Sequence, residues 1–93
     1  MREGKAPPTR AQLRRAFSLC LRRLRARAGI SQERLAHEAG IDRAYMSELE
    51  RGLHSPNLDT IYRLLPPLRV SFTVWAAEYE GCLKRARRLN NQE

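Results

Sequence analysis

The segment GISQERLAHEAGIDRAYMSELERG, residues 29–52, carries the signals for two short helices and the turn that joins them. Ser31 is an N-cap residue, and Glu33 in the following turn complements the positive end of a helix dipole. Leu35, Ala36 and Ala39 then fall on one helical face. Gly40 ends this helix, because glycine takes the positive φ of a sharp exit without a Cβ penalty. Asp42 is placed to cap a second helix. Ile41 plugs the turn before it, Met46 and Leu49 face inward, and Gly52 closes it.

The same signals extend outward in both directions. Thr9 followed by Gln12 is a capping box, and it opens an apolar series at Leu13, Phe17, Cys20, Leu21, Leu24 and Ala28 that Gly29 stops. The opposite face carries Arg14, Arg15 and Arg22. Downstream, Ser55-Pro56-Asn57 reads as a loop. Asn57 caps a fourth helix with Leu58, Ile61, Leu64 and Leu65 as its core stripe. Pro66-Pro67 predicts that this helix ends near Leu65, since a residue before proline is pushed out of the α region. A fifth helix begins after Ser71, with Phe72, Trp75, Tyr79, Cys82, Ala86 and Leu89 in heptad spacing. Gly81 inside it costs about 1 kcal/mol relative to alanine. There is no strand pattern and no internal repeat. The expected fold class is all-α: a compact five-helix domain over residues 9–80, a flexible basic arm at 1–8, and a basic helical extension at 81–93.

The chain has 93 residues, enough for one domain and one modest core. Lys+Arg number 18 against 10 Asp+Glu, a net charge of +8, and only Lys5 and Lys84 are lysine. Arginine offers a planar fork of donors suited to phosphate and guanine. A pI near 10.7 points to a polyanionic partner, nucleic acid or an anionic membrane surface. The charge is uneven. Residues 1–28 hold nine basic residues and one acidic, residues 29–80 five basic and eight acidic, and residues 81–93 four basic and one acidic. The flanks are therefore basic and the patterned centre mildly acidic.

Several function classes are disfavoured. Cys20 and Cys82 stand far apart with no CxxC and no histidine pair beside them, so no zinc site or other metal or cofactor is expected. Both read as small buried hydrophobes in a reducing compartment. No apolar run approaches the ~20 residues needed to span a bilayer, and MREGKAPPTR lacks the apolar stretch of a signal peptide. His37 and His54 form no legible catalytic set, so an enzyme is not expected, and no small-molecule ligand is evident.

Two short helices joined by a glycine-containing turn make the helix-turn-helix plan, in which the second helix enters the DNA major groove. Its exposed face here is Arg43, Ala44, Ser47, Glu48 and Arg51. Taken with Arg25, Gly29, Ser31-Gln32, Leu35-Ala36, Gly40, Glu50-Arg51-Gly52, Pro56 and Leu58, the chain resembles the lambdoid phage repressor and Cro family over about residues 17–75. That resemblance implies a compact five-helix, repressor-like DNA-binding domain that reads a palindromic operator in double-stranded DNA as a homodimer. It also implies a bacterial or phage-encoded, cytoplasmic, nucleoid-associated chain. Residue by residue, it implies that Gln32 contacts a phosphate, that Arg43 and Ala44 are the first base-reading positions with Ser47 and Glu48 further along, and that Arg25 and Glu50 form an internal ion pair.

For each of these side chains a second reading stands beside the first. Arg43 either contacts guanine or is a solvated surface arginine. Glu48 either accepts from cytosine N4 or pairs with Arg51 or Arg43. Tyr45, Arg51 and His54 are candidate DNA-backbone contacts. The heptad of the fifth helix is core against the first helix, a dimer seam, or both; Tyr79, Cys82, Leu83, Ala86 and Leu89 exceed what a small domain needs to bury, so a contribution to dimerisation is expected. Two other functions remain open: an antitoxin-like or adaptor module that binds protein, and a non-specific architectural DNA binder.

Overall fold

The cap residues set the helix boundaries in the computed structural model, which describes residues 6–92 and side chains as far as Arg88. Thr9 and Gln12 close a reciprocal capping box: Gln12 N–H donates to Thr9 Oγ1 at 3.0 Å, and Thr9 N–H to Gln12 Oε1 at 2.9 Å. This starts α1 (Arg10–Ala28). Ser31 Oγ accepts from Arg34 N–H at the start of α2 (Gln32–Ala39). Asp42 accepts from Ala44 and Tyr45 N–H at the start of α3 (Arg43–Glu50). Asn57 accepts from Thr60 N–H at the start of α4 (Leu58–Leu68). Ser71 accepts from Val74 N–H at the start of α5 (Phe72–Gln92). No strand occurs among the described residues.

The long helices α1 and α5 pack along each other, α3 and α4 pack on α1, α2 packs on α3 and α4, and α4 also touches α5. Leu21, Leu24, Leu35, Met46, Leu49 and Leu64 fill the centre, so every helix but the last contributes to its innermost layer. From α5, Trp75 enters the core beside Phe17, with ring centroids 6.2 Å apart, and stacks on Tyr79 at 5.1 Å.

Two expectations from the sequence are corrected. First, α4 does not end near Leu65 but runs through Pro66 and Pro67 to Leu68. The prolines occupy the outer side of the helix, and the carbonyls they cannot bond belong to Tyr62 and Arg63, whose side chains are exposed. Burial of Leu64, Leu65 and Leu68 holds the last turn in place. Arg69 then closes it at φ +61°, its N–H donating to the Leu65 and Pro66 carbonyls.

Second, Cys82 and Ala86 do not await a partner. They are 4% and 0% exposed, covered by the chain's own core. Tyr79 and Leu83 are half-buried against that core, and Tyr79 Oη donates to the Leu13 carbonyl at 3.4 Å. The Leu89 side chain lies outside the described residues, as do residues 1–5 of the N-terminal arm. The heptad spacing of α5 is satisfied by α1 because the first helix is 19 residues long and apolar along one side. α5 runs on past residue 80, and Cys82 and Ala86 there are buried in the same core.

Two glycines test the backbone in opposite directions. Gly40 has φ +67° with nothing within 4 Å of a Cβ built on it, so the cost of a side chain there is purely conformational. Gly81 lies within α5, also with open space around it. Gly40→Ala is expected to lower unfolding free energy by about 1–2 kcal/mol. Gly81→Ala is expected to raise it by about 0.5–1 kcal/mol. Denaturant titration reads both.

The buried thiols give the fold a pH limit. Burial, reinforced by Cys82 and Glu78, pushes Cys20 up from 9.0 to about 12, and burial also raises Cys82. Above pH 9 the unfolded chain releases thiol protons that the folded chain keeps. Stability present below pH 9 is therefore lost as pH rises toward 12, and Cys20→Val is expected to blunt that loss in denaturation midpoints measured across the range.

Candidate nucleic-acid interface

The turn between α2 and α3 is built from three residues. Gly40 donates its N–H back to the Ala36 and His37 carbonyls in the left-handed conformation, and Ile41 N–H donates to the Ala36 carbonyl at 2.9 Å. The Ile41 side chain is half-buried against the core. Asp42 caps α3. Leu35, Ala36 and Ala39 on α2 meet Met46 and Leu49 on α3, all buried. The small alanines let the two helices cross closely, and one face of α3 remains outside.

That face is held in position by an ion pair. Arg25 on α1 donates to the Glu50 carboxylate from Nε at 2.6 Å and from Nη2 at 3.1 Å, a bidentate pair with the acid side chain only 5% exposed. Gln32 Nε2 adds a third donor at 3.0 Å, and Arg25 Nη1 reaches the Ile30 carbonyl at 3.1 Å. Ser18 Oγ donates to the Glu50 carbonyl at 2.6 Å. One carboxylate thus joins α1, the start of α2 and the end of α3. Gln32 is turned toward Glu50 and retains a second amide hydrogen.

The other site residues fall as follows. Arg43 and Ala44 are exposed at the start of α3, and Ser47 and Glu48 are half-buried further along. Tyr45 is half-buried with its ring 5.5 Å from that of His54. Arg51 and His54 are exposed beyond the end of α3, and His37 is exposed on α2. Glu48 does not pair with Arg43 or Arg51: its Oε1 lies 2.9 Å from His54 Nε2. Arg43 pairs instead with Glu33 across the turn, Nη2 to Oε2 at 2.9 Å, both side chains largely exposed. Glu38 accepts from Arg34 Nε at 2.7 Å. In high dielectric such pairs are worth ~0–1 kcal/mol, so Arg43 is available for exchange with another anion.

Two participants were not singled out from the sequence. Ser18 sits between Phe17 and Leu21 on the inward side of α1, and a hydroxyl there is a signal for a buried hydrogen bond. The Glu33–Arg43 contact bridges ten positions across a turn and has no periodic signature. Among the described residues no group of histidine, cysteine and carboxylate side chains is placed to hold a metal, and no helix is long and apolar enough to cross a membrane.

This arrangement has counterparts. The helix-turn-helix family model matches residues 21–75. The control protein C.BamHI of Bacillus amyloliquefaciens is 36% identical over 59 residues, covering 62% of this chain and 73% of that protein. HTH-type transcriptional regulators of Mycobacterium tuberculosis and Sinorhizobium fredii are 37% and 41% identical, and the match spans 39% and 64% of their lengths. The clp gene regulator ClgR of Corynebacterium glutamicum superposes with a TM-score of 0.77 at 26% identity, over 86% of this chain and 85% of that one. The restriction-modification controller protein C.Esp1396I, solved as a tetramer on its natural 35 base-pair operator, gives 0.71 at 25% identity, over 76% and 93%.

The Arg25–Glu50 pair gives a stability test. Glu50→Ala leaves the half-buried Arg25 without its partner and is expected to cost about 3 kcal/mol. Replacing both with apolar residues, Arg25→Met with Glu50→Leu, is expected to cost clearly less than the sum of the single changes. Denaturation of the two single variants and the double variant reads the coupling.

Proposed function

Because the chain belongs to the helix-turn-helix family of transcriptional regulators, we propose that it is a sequence-specific DNA-binding regulator that reads a two-fold operator as a homodimer. The observation that carries this reading is the outward face of α3: Arg43 and Ala44 exposed at its start, Ser47 behind them, and the helix fixed to α1 by Glu50. A helix so held presents the same side chains in the same register each time it enters a major groove, as base readout requires.

Each residue has a role in this reading. Arg43 exchanges Glu33 for guanine O6 and N7. Ala44 lets the backbone approach or touches a thymine methyl. Ser47 is an adaptable donor and acceptor. Gln32 offers its remaining amide hydrogen to a phosphate at the start of α2, beside N–H groups already aimed outward. Tyr45, Arg51 and His54 contact the backbone on the other side of the groove. Glu48 accepts from a base only by releasing His54. The basic flanks supply the sequence-independent attraction that brings the duplex in.

The dimer surface is placed on α4 and the start of α5, since the back of α5 is used within the chain. Leu58 and Tyr62, one turn apart on α4, are 62% and 54% exposed, and Val74 on α5 is 48% exposed. The Tyr62 ring stacks on Phe72 at 5.2 Å, joining the two helices. C.Esp1396I, a neighbour in fold, is assembled on its operator as a tetramer.

Selection of bound duplexes from a random pool tests the whole reading. A two-fold symmetric motif with half-sites about one helical turn apart is the expected outcome. Arg43→Ala is expected to cost about 1–3 kcal/mol on the selected sequence and to relax preference at one base position per half-site. Equal losses on selected and random duplexes would remove Arg43 from base readout. Absence of enrichment, with a protein partner retained on purification, would favour an antitoxin-like or adaptor module on this fold.

A further inference from the structure

We propose that a cleft between the first half of α1 and the end of α3 is a second phosphate site, holding the backbone of the duplex that α3 reads. The proposal rests on the DNA-binding reading above and adds a surface to it. The cleft has a volume of about 500 Å³ and is lined by Arg14, Arg15, Arg22 and Arg51, with Ser18 and Glu50 beside them. Arg14, Ser18 and Arg22 are spaced four apart and form one stripe along α1, with Arg15 adjoining it. Arg51 enters from the end of α3. Gly52 makes the approach close: a Cβ there would stand 3.7 Å from the Arg14 carbonyl oxygen and from Ser18 Cβ.

The charge of this cleft is uncompensated. Among the described residues, none of the four arginines forms an ion pair, while Arg23, Arg25, Arg27, Arg34, Arg43 and Arg63 all do. Glu50 cannot serve them, because its carboxylate is engaged by Arg25 and Gln32. Arg14 Nε is buried without a hydrogen-bond partner. A buried donor without an acceptor is costly, which favours Arg14 turning its guanidinium out toward an anion in the cleft.

Position selects the DNA backbone as that anion. The cleft opens where the outward face of α3 ends, at Arg51. From Arg14 to Arg22 the stripe runs about 12 Å along α1, the axial rise of roughly three to four phosphates on one strand. Residues 10–20 of α1 also precede the segment that the family model matches, 21–75. Arg14, Arg15 and Ser18 lie before that segment and Arg22, Arg51 and Gly52 within it, so half of the cleft stands on the first part of α1.

The double variant Arg15→Gln/Arg22→Gln changes two exposed side chains and is chosen to leave the core intact. Fluorescence anisotropy across a salt series, on the selected duplex and on a random one, reads the effect. The magnitude of the slope of log K against log salt is expected to fall by about 1.8, and affinity by roughly 50-fold near 0.1 M salt, on both duplexes alike with base preference unchanged. Arg85→Gln, in a separate hollow with Arg23 and Glu78, is expected to leave the slope as it is. A folded double variant, verified by its thermal melt, that keeps wild-type slope and affinity overturns the cleft and leaves the α3 reading standing. An Arg85→Gln loss equal to that of Arg15→Gln alone overturns it too, since net charge would then explain both. No duplex binding by the wild type overturns the cleft and the α3 reading together.

Discussion

The ion pair between Arg25 and Glu50 is the constraint on which the reading helix depends. Helices of eight residues, such as α2 and α3, are too short to be stable alone. Leu49 and Met46 hold α3 against the core by burial, which is non-directional and leaves the helix free to roll. A bidentate arginine fork is directional. It sets the roll of α3 about its axis, and Ser18 on the Glu50 carbonyl and Gln32 on its carboxylate remove the remaining freedom. Arg43, Ala44 and Ser47 keep their orientation because Glu50, on the adjoining face of the same helix, is fixed to α1.

The α1–α5 pair plays the complementary role. Burial of Trp75, Cys82 and Ala86 along the first helix makes the frame from which α3 is held. The same dominance of burial over local preference explains α4. Two prolines cost backbone hydrogen bonds on the wet side of the helix, while Leu64, Leu65 and Leu68 gain cover on the dry side. Tertiary packing overrides a strong local stop signal when the lost donors face water.

The acidic centre of a basic chain has a physical division. Asp42 caps a helix, Glu50 fixes one, and Glu33 and Glu48 hold Arg43 and His54 on the surface. On the outer face of α3 the Glu48 carboxylate lies within hydrogen-bond distance of His54. Uncompensated positive charge collects instead in the cleft formed by Arg14, Arg15, Arg22 and Arg51. On the proposed DNA-binding reading, attraction and base readout fall on different surfaces of one small domain.

Five helices, their caps and the glycine turn were legible in the sequence because each is set by a residue and its neighbours three or four positions away. Thr9 with Gln12, Ser31, Gly40, Asp42 and Asn57 act through local hydrogen bonds or local φ, and periodicity names the inward face of each helix, except that Leu58, expected in the core stripe of α4, is 62% exposed at its first turn. The Arg25–Glu50 pair came from resemblance, since a contact across 25 positions leaves no periodic trace. What covers α5, how far α4 runs past its prolines, and which side chain meets Glu48 or Glu33 were decided only by the tertiary structure. Those outcomes depend on distances between elements far apart in the chain, and on which side of a helix faces water. Local sequence fixes a helix and its stripe; only packing decides which stripe meets which.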